Sequence, residues 1–285
     1  MHALNVKRPL VVFLPAIYLL GILGILASGG SDGDGDGSVS FPTPELPDNA
    51  IVLDSTNARD IAEATVELTG LLSDVVDFKT DEPVSLPQIV KMAVDPIIDN
   101  HRIRVPAAAA KTEDLSSAFC ISGTASVTYE ESDVRAYGTF TYDNCEIATD
   151  ILLDGKINFD GTYIETTQDY QLQFGGTLSV AVDTENITIV MNFKTSGNDG
   201  TGDFSVDASF SVDGAPDGGF LITTEVPVTG NGFSGDYTGG KQIVYGGTGA
   251  LGPTSVEIVV KPPTEADVTL FEGSSSTPLS PILLP

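Results

Sequence analysis

Asp203-Phe204-Ser205-Val206-Asp207-Ala208-Ser209-Phe210-Ser211-Val212-Asp213 is the stretch that decides the fold. Phe204, Val206, Ala208, Phe210 and Val212 alternate with serine and aspartate, the period of a strand with one buried and one wet face. Leu178, Val180 and Val182 repeat the pattern, as do Ile187, Ile189, Met191 and Phe193, and later Val256, Ile258 and Val260. Asp160-Gly161, Asp183 to Asn186, Asp213-Gly214 and Asp217-Gly218 punctuate these runs as turns. No helical period intervenes, so parallel crossovers are not expected and the strands should follow one another as an antiparallel meander. The alternation is expected from Ala118 onward.

Two registers follow from the pattern. A hairpin tip at Thr184-Glu185 sets Val182 against Ile187, Val180 against Ile189 and Leu178 against Met191, so inward residues meet inward partners. A tip at Ser132-Asp133 sets Cys120 against Cys145, Thr124 against Thr141, Ala125 against Phe140, Tyr129 against Ala136 and Glu130 against Arg135. In an exported chain this cysteine pair is expected to be oxidised.

Upstream the period changes. Ile61, Ala64, Leu68, Leu71, Leu72, Val75 and Val76 have helical spacing, with Glu63, Glu67 and Asp74 on the other face and Ser55, Thr56 and Asn57 as N-cap candidates. A second helical stretch is expected over 86–95, stopped or kinked by Pro96, and 105–117 reads as a connector. Residues 31–50 form a linker in which Gly, Ser, Asp and Pro dominate. At the start, Lys7 and Arg8 precede an apolar run from Leu10 to Ala27, followed by small residues. That is the layout of a secretory signal, or of an uncleaved N-terminal anchor in the same orientation. The expected division is 1–30 signal or anchor, 31–50 acidic linker, 51–110 helical segment, 111–273 antiparallel β domain and 274–285 C-terminal tail.

Ile25-Leu26-Ala27-Ser28, followed by glycines and aspartates, resembles a bacterial lipoprotein signal. That family carries its lipid on a cysteine after the small residue. Ser28 or Gly29 stands there instead, so lipidation is not expected. The likeness implies an exported bacterial protein: periplasmic, on the outer surface or secreted.

Across its 285 residues the chain carries 13 Lys and Arg against 40 Asp and Glu, a net charge of −27. Such a field repels phosphate backbones and argues against nucleic-acid binding. Two histidines and two cysteines leave no material for a zinc ribbon or a His-rich metal site. Asp32, Asp34, Asp36 and Gly37 match the first half of a calcium loop, but Thr43 stands where the bidentate glutamate belongs. These aspartates are candidate calcium ligands; an acidic spacer is the expectation, with no resident cofactor. Gly197 to Asp203 offers similar oxygens and reads as a long turn. Gly247-Thr248-Gly249-Ala250-Leu251-Gly252 spells a dinucleotide fingerprint, yet Pro253 and a strand pattern follow where a helix is needed. A bulge or wide turn is expected there. Gly29 to Gly33 spells a nucleophile elbow inside the linker and lacks the strand and helix that an elbow requires. His101 is the sole histidine outside the signal and reads as a surface residue.

The expected fold is α+β, mainly β: a long antiparallel meander of about nine to eleven strands, open or a half-barrel, with one or two N-terminal helices packed on it. In layout it resembles the half-barrels of bacterial lipoprotein carriers and other exported β-rich bacterial proteins. Lacking a catalytic constellation, the chain is expected to be non-enzymatic, with a structural, adhesive or binding role in the cell envelope. The alternative is a carrier of a lipid or other apolar ligand between helix and sheet, in a pocket lined by Val180, Ile189, Met191, Phe204 and Phe210. A third is a hydrolase using paired carboxylates. Partners would be an envelope surface or an apolar ligand, with membrane contact only through an uncleaved N-terminal segment.

Overall fold

The computed structural model describes residues 39–70, 111–132, 134–148, 151–182, 185–214 and 218–284. Strands make up 68% of it, in one long antiparallel meander that does not close. The chain order is α1 (Ala58–Gly70), β1 (Lys111–Asp114), a single turn of helix α2 (Ser116–Phe119), β2 (Ser122–Glu131), β3 (Arg135–Ala148), β4 (Ile151–Ile164), β5 (Asp169–Val182) and β6 (Glu185–Asn198). It continues with β7 (Asp203–Asp213), β8 (Phe220–Asn231), β9 (Asp236–Gly249), β10 (Gly252–Lys261), β11 (Glu265–Glu272), β12 (Ser275–Pro278) and β13 (Ile282–Leu283). Spatial order equals chain order from β1 to β12, and β13 pairs with β11 beside β12.

The expected strand count was too low, and the extra strands lie at the two edges. Lys111–Asp114, inside the stretch read as a connector, pairs with Ser126 to Tyr129. Residues 275–283, read as a tail, cover the outer edge of β11. Neither segment alternates in hydropathy, because edge strands pair through their backbones and bury few side chains. Ile282 and Leu284 are the apolar exceptions and are buried.

Alternation fills one continuous core. Val206, Phe210, Val180, Ile189, Met191, Ile157, Val244 and Ile258 are fully buried, while their strand neighbours face outward. Aromatic rings run across the inward face: Phe140 lies 5.4 Å from Phe159, Phe174 stacks at 5.1 Å on Phe193, and Phe193 lies 6.3 Å from Phe210.

Both expected registers are shifted by two residues. Val180 pairs with Ile187 and Leu178 with Ile189, leaving Met191 opposite Gly176. A side chain at Gly176 would collide with the Lys156 carbonyl and come within 2.8 Å of the Ile157 Cα. Likewise Val127 pairs with Phe140, Ala125 with Tyr142 and Glu130 with Tyr137. A shift of two keeps each residue on its face as far as Tyr142, but a bulge beyond it turns Cys145, expected beside Thr124 and Thr141 on the polar face, into the core.

Cys120 and Cys145 form the disulfide. Cys120 lies just before β2, and a bulge between Ser122 and Thr124 realigns the strand with β3. The bridge ties α2 to the sheet.

α1 buries Ala58, Ile61, Ala62, Thr65 and Val66, with Ala64 packed against the same core. It packs on β10, β11 and β13. Asn57 precedes its first residue, but its side chain binds backward, accepting from the Asp54 amide at 2.9 Å and donating to the Val52 carbonyl at 3.0 Å. The expected continuation of this helix beyond residue 70, the stretch 86–95 and His101 lie outside the described residues.

Replacing both cysteines by serine should destabilise the fold by about 3.5 kcal/mol in the chain-entropy picture of a loop this long. Urea denaturation of the oxidised protein and of the double variant measures it; an unchanged midpoint would show that the bridge constrains nothing.

Candidate functional site

Asp32, Asp34 and Asp36 lie outside the described residues. Val180, Ile189, Met191 and Phe210 cluster on three adjoining strands, where Met191 faces Phe210 directly. Phe204 sits nearer the other end, edge-on to Tyr237 at 5.9 Å. All five are buried members of the common core. Among the described residues no group of three or more His, Cys, Asp or Glu is placed to hold a metal ion.

Two constructions stand out instead. The first is a row of turns along one end of the sheet. Asp169, Asn198, Asp203, Asn231 and Asp236 are successive cross-strand partners from β5 to β9. Each asparagine completes two turns at once. The Asn198 carbonyl oxygen of the side chain accepts from the Gly200 and Thr201 amides, both at 2.9 Å. Its Nδ2 donates to Asp169 and to the Thr167 carbonyl, both at 2.7 Å. Asn231 does the same one hairpin later, accepting from Phe233 and Ser234 and donating to Asp203 at 2.9 Å and to the Thr201 carbonyl at 2.8 Å. In each turn the fifth residue is left-handed: Gln168, Gly202 and Gly235, with φ of 60°, 78° and 70°. Glycine accepts that backbone without strain; Gln168 does not. Backbone bonds from Asp199 to Gln168 (2.9 Å) and from Gly232 to Gly202 (2.8 Å) join turn to turn.

The sequence signal for this row is Asn-x-x-Thr/Ser-Gly-Asp, present at 198–203 and 231–236, 33 residues apart. By itself the first copy reads as a long turn with oxygens of the kind calcium takes, and it does not reveal the repeat. A six-residue signature of common turn residues is visible only when the two copies are aligned.

The second construction is a slot between β8 and β9. Their pairing at this end stops at Leu221 and Tyr245. Beyond it Ile51 lies between the strands: its amide donates to the Gly219 carbonyl at 2.7 Å, and its carbonyl accepts from Gly247 at 2.6 Å. The Gly219 amide donates to Asn49 at 3.2 Å. Thr254, buried on β10, accepts from the Leu53 amide at 3.0 Å and donates to the Gly247 carbonyl at 2.8 Å. A Cβ on Gly218 would meet the Asn49 carbonyl and Ile51 amide at 2.5 and 2.8 Å, and one on Gly246 the Ile51 carbonyl at 2.5 Å; on Gly247 it would strike the Ala50 carbonyl. The glycines of the apparent dinucleotide fingerprint therefore serve a tight β9–β10 turn and this slot. Residues 47–53, divided in the sequence between linker and helical segment, are part of the folded sheet.

The outward face is mainly polar and cross-bonded, with Leu152 and Tyr245 among the large side chains exposed on it. Arg135 holds Asp160 through two bonds of 2.8 Å and lies 4.7 Å over the Tyr137 ring, whose hydroxyl donates to Glu130. Thr139 bonds Asn158, Asn158 bonds the Ser40 carbonyl, and Gln173 bonds Asn192, at 2.8 to 2.9 Å. Lys241 sits between Glu225 (2.8 Å) and Glu257 (2.7 Å), and bonding to both raises its pKa.

No protein family, curated protein or solved structure matches the chain.

The turn row should be sensitive to acid. Hydrogen bonds from Thr167 and Asn198 hold Asp169 below the usual 3.8, and bonds from Asn231 and Thr201 do the same for Asp203. A depressed folded-state pKa contributes stability that is present above the unfolded value and lost as pH falls through the folded one. Asp154 works in the opposite direction, raised by burial and then by Asp143. Melting temperature should therefore drop below about pH 3.8 in the wild type. In the Asp169→Asn, Asp203→Asn double variant this acid limb should be shallower; an identical limb would mean that the row does not carry the effect.

Proposed function

We propose that this chain is an exported, non-catalytic protein of the bacterial cell envelope, with a structural, adhesive or binding role. The observation that carries the proposal is the division of the sheet into two faces. Inward residues, including the five considered as a pocket lining, are buried in one core with rings in contact. The outward face offers hydroxyls, amides and paired charges, suited to contact with a hydrated surface rather than with an apolar ligand. Its bonded pairs fix these groups in place, so a surface partner would meet an ordered polar array. The acidic charge of the chain directs that contact away from phosphate-rich surfaces.

Native mass spectrometry of protein isolated from its own envelope, paired with a denatured mass, tests this. The expected native mass is that of the chain alone, and the denatured mass reports signal cleavage and the two-hydrogen loss of the disulfide. A reproducible apolar mass that leaves on unfolding would replace the proposal with the carrier.

A further inference from the structure

The segment in the slot crosses the sheet from one face to the other. Gly219 precedes inward Phe220 and so faces outward; a Cβ there would meet Pro47 at 2.8 Å. Gly246 shares the inward face with Val244, and a Cβ there would meet Leu53 at 2.6 Å. The chain thus enters from the outward side at Pro47 and emerges in the core at Leu53, which is fully buried. From Leu53 it runs directly into α1, itself packed on β10, β11 and β13. The segment runs parallel to β8, with Ala50 bridging Gly219. Upstream of it, Asn158 on β4 holds the Ser40 carbonyl at 2.8 Å.

We infer that residues 47–53 are a strap that transmits pull on the chain's N-terminal segment to the interior strands β8, β9 and β10. For its use the inference rests on the proposed export and on the alternative in which the N-terminal segment stays as an anchor, though its geometry does not. An N-terminal arm laid along an edge would peel one bond at a time. This arm is bonded to β8, β9 and β10 together, and glycines close the slot tightly around its backbone. Withdrawing it requires Leu53 to leave the core and β8 and β9 to part. Pulling from the N-terminus therefore loads interior strands, whose separation opens the sheet.

Force spectroscopy on the full chain, with handles at its two ends, reads this directly. The expected trace shows the arm released only in the event that opens the sheet. An earlier, weaker step of about 50 Å, the extended length of residues 39–53, with the sheet still intact, would overturn the inference. A second measurement uses Val52→Cys with Gly249→Cys. Val52 Cγ1 lies 3.0 Å from the position a Cβ on Gly249 would take, within reach of a bridge. Oxidation should give a cross-linked monomer. Disulfide-linked dimers would show that a second copy supplies the arm, and absence of cross-linking would show that the slot is empty in solution; either result overturns the strap. Neither measurement depends on what the outward face binds, so failure of the strap is separable from failure of the functional proposal.

Discussion

An antiparallel sheet of this length must hide one entire face from water, and that requirement orders the rest of the molecule. Apolar side chains at every second position supply the inward face. Large residues cannot all sit opposite one another, so glycines take up the difference. Gly176 lies between Ile157 and Met191, and Gly230 between Phe204 and Tyr237 on its neighbouring strands. The Phe204 ring occupies the space that a side chain at Gly230 would need. Ring over glycine is thus one way the strands approach closely while the core stays filled.

Faces were legible in the sequence because a period of two survives any even shift. Register was not, for the same reason. Moving a hairpin tip by one residue moves every pairing by two and changes no residue's face. What selects the true register is local: the absence of a side chain at Gly176, and the Ser132–Arg135 turn, where the Ser132 amide donates to the Arg135 carbonyl at 2.7 Å. The start of α1 was legible from Ile61 and its neighbours. The slot was not, because Asn49 to Leu53 has no period of its own and its partners lie far away in the chain. Only the grouping of glycines at 218–219 and 246–247 hints that another strand of backbone must pass there.

The two edges of the sheet are handled differently from its middle. β1 covers only part of β2 before α2 and the disulfide take over. At the far edge β12 and β13 divide the outer side of β11 between them, and Pro278 and Pro281 break up the segment. Short, exposed and proline-bearing edges offer little template for another chain to pair with.

The turn row carries a consequence for how such a protein changes in size. From Asn198 to Asn231 the chain makes one strand down and one strand back, then reaches the same turn in the same hydrogen-bonding position. The main strand contacts are between immediate neighbours in the sheet, as in proteins built by stacking units. A gene segment encoding that span could be gained or lost with both flanking seams remade by the same asparagine and aspartate. The width of the sheet is then a countable quantity, altered one hairpin at a time, and because the span includes Gly218 and Gly219 each change also carries one wall of the strap's slot, while the disulfide by β2 and β3 stays where it is.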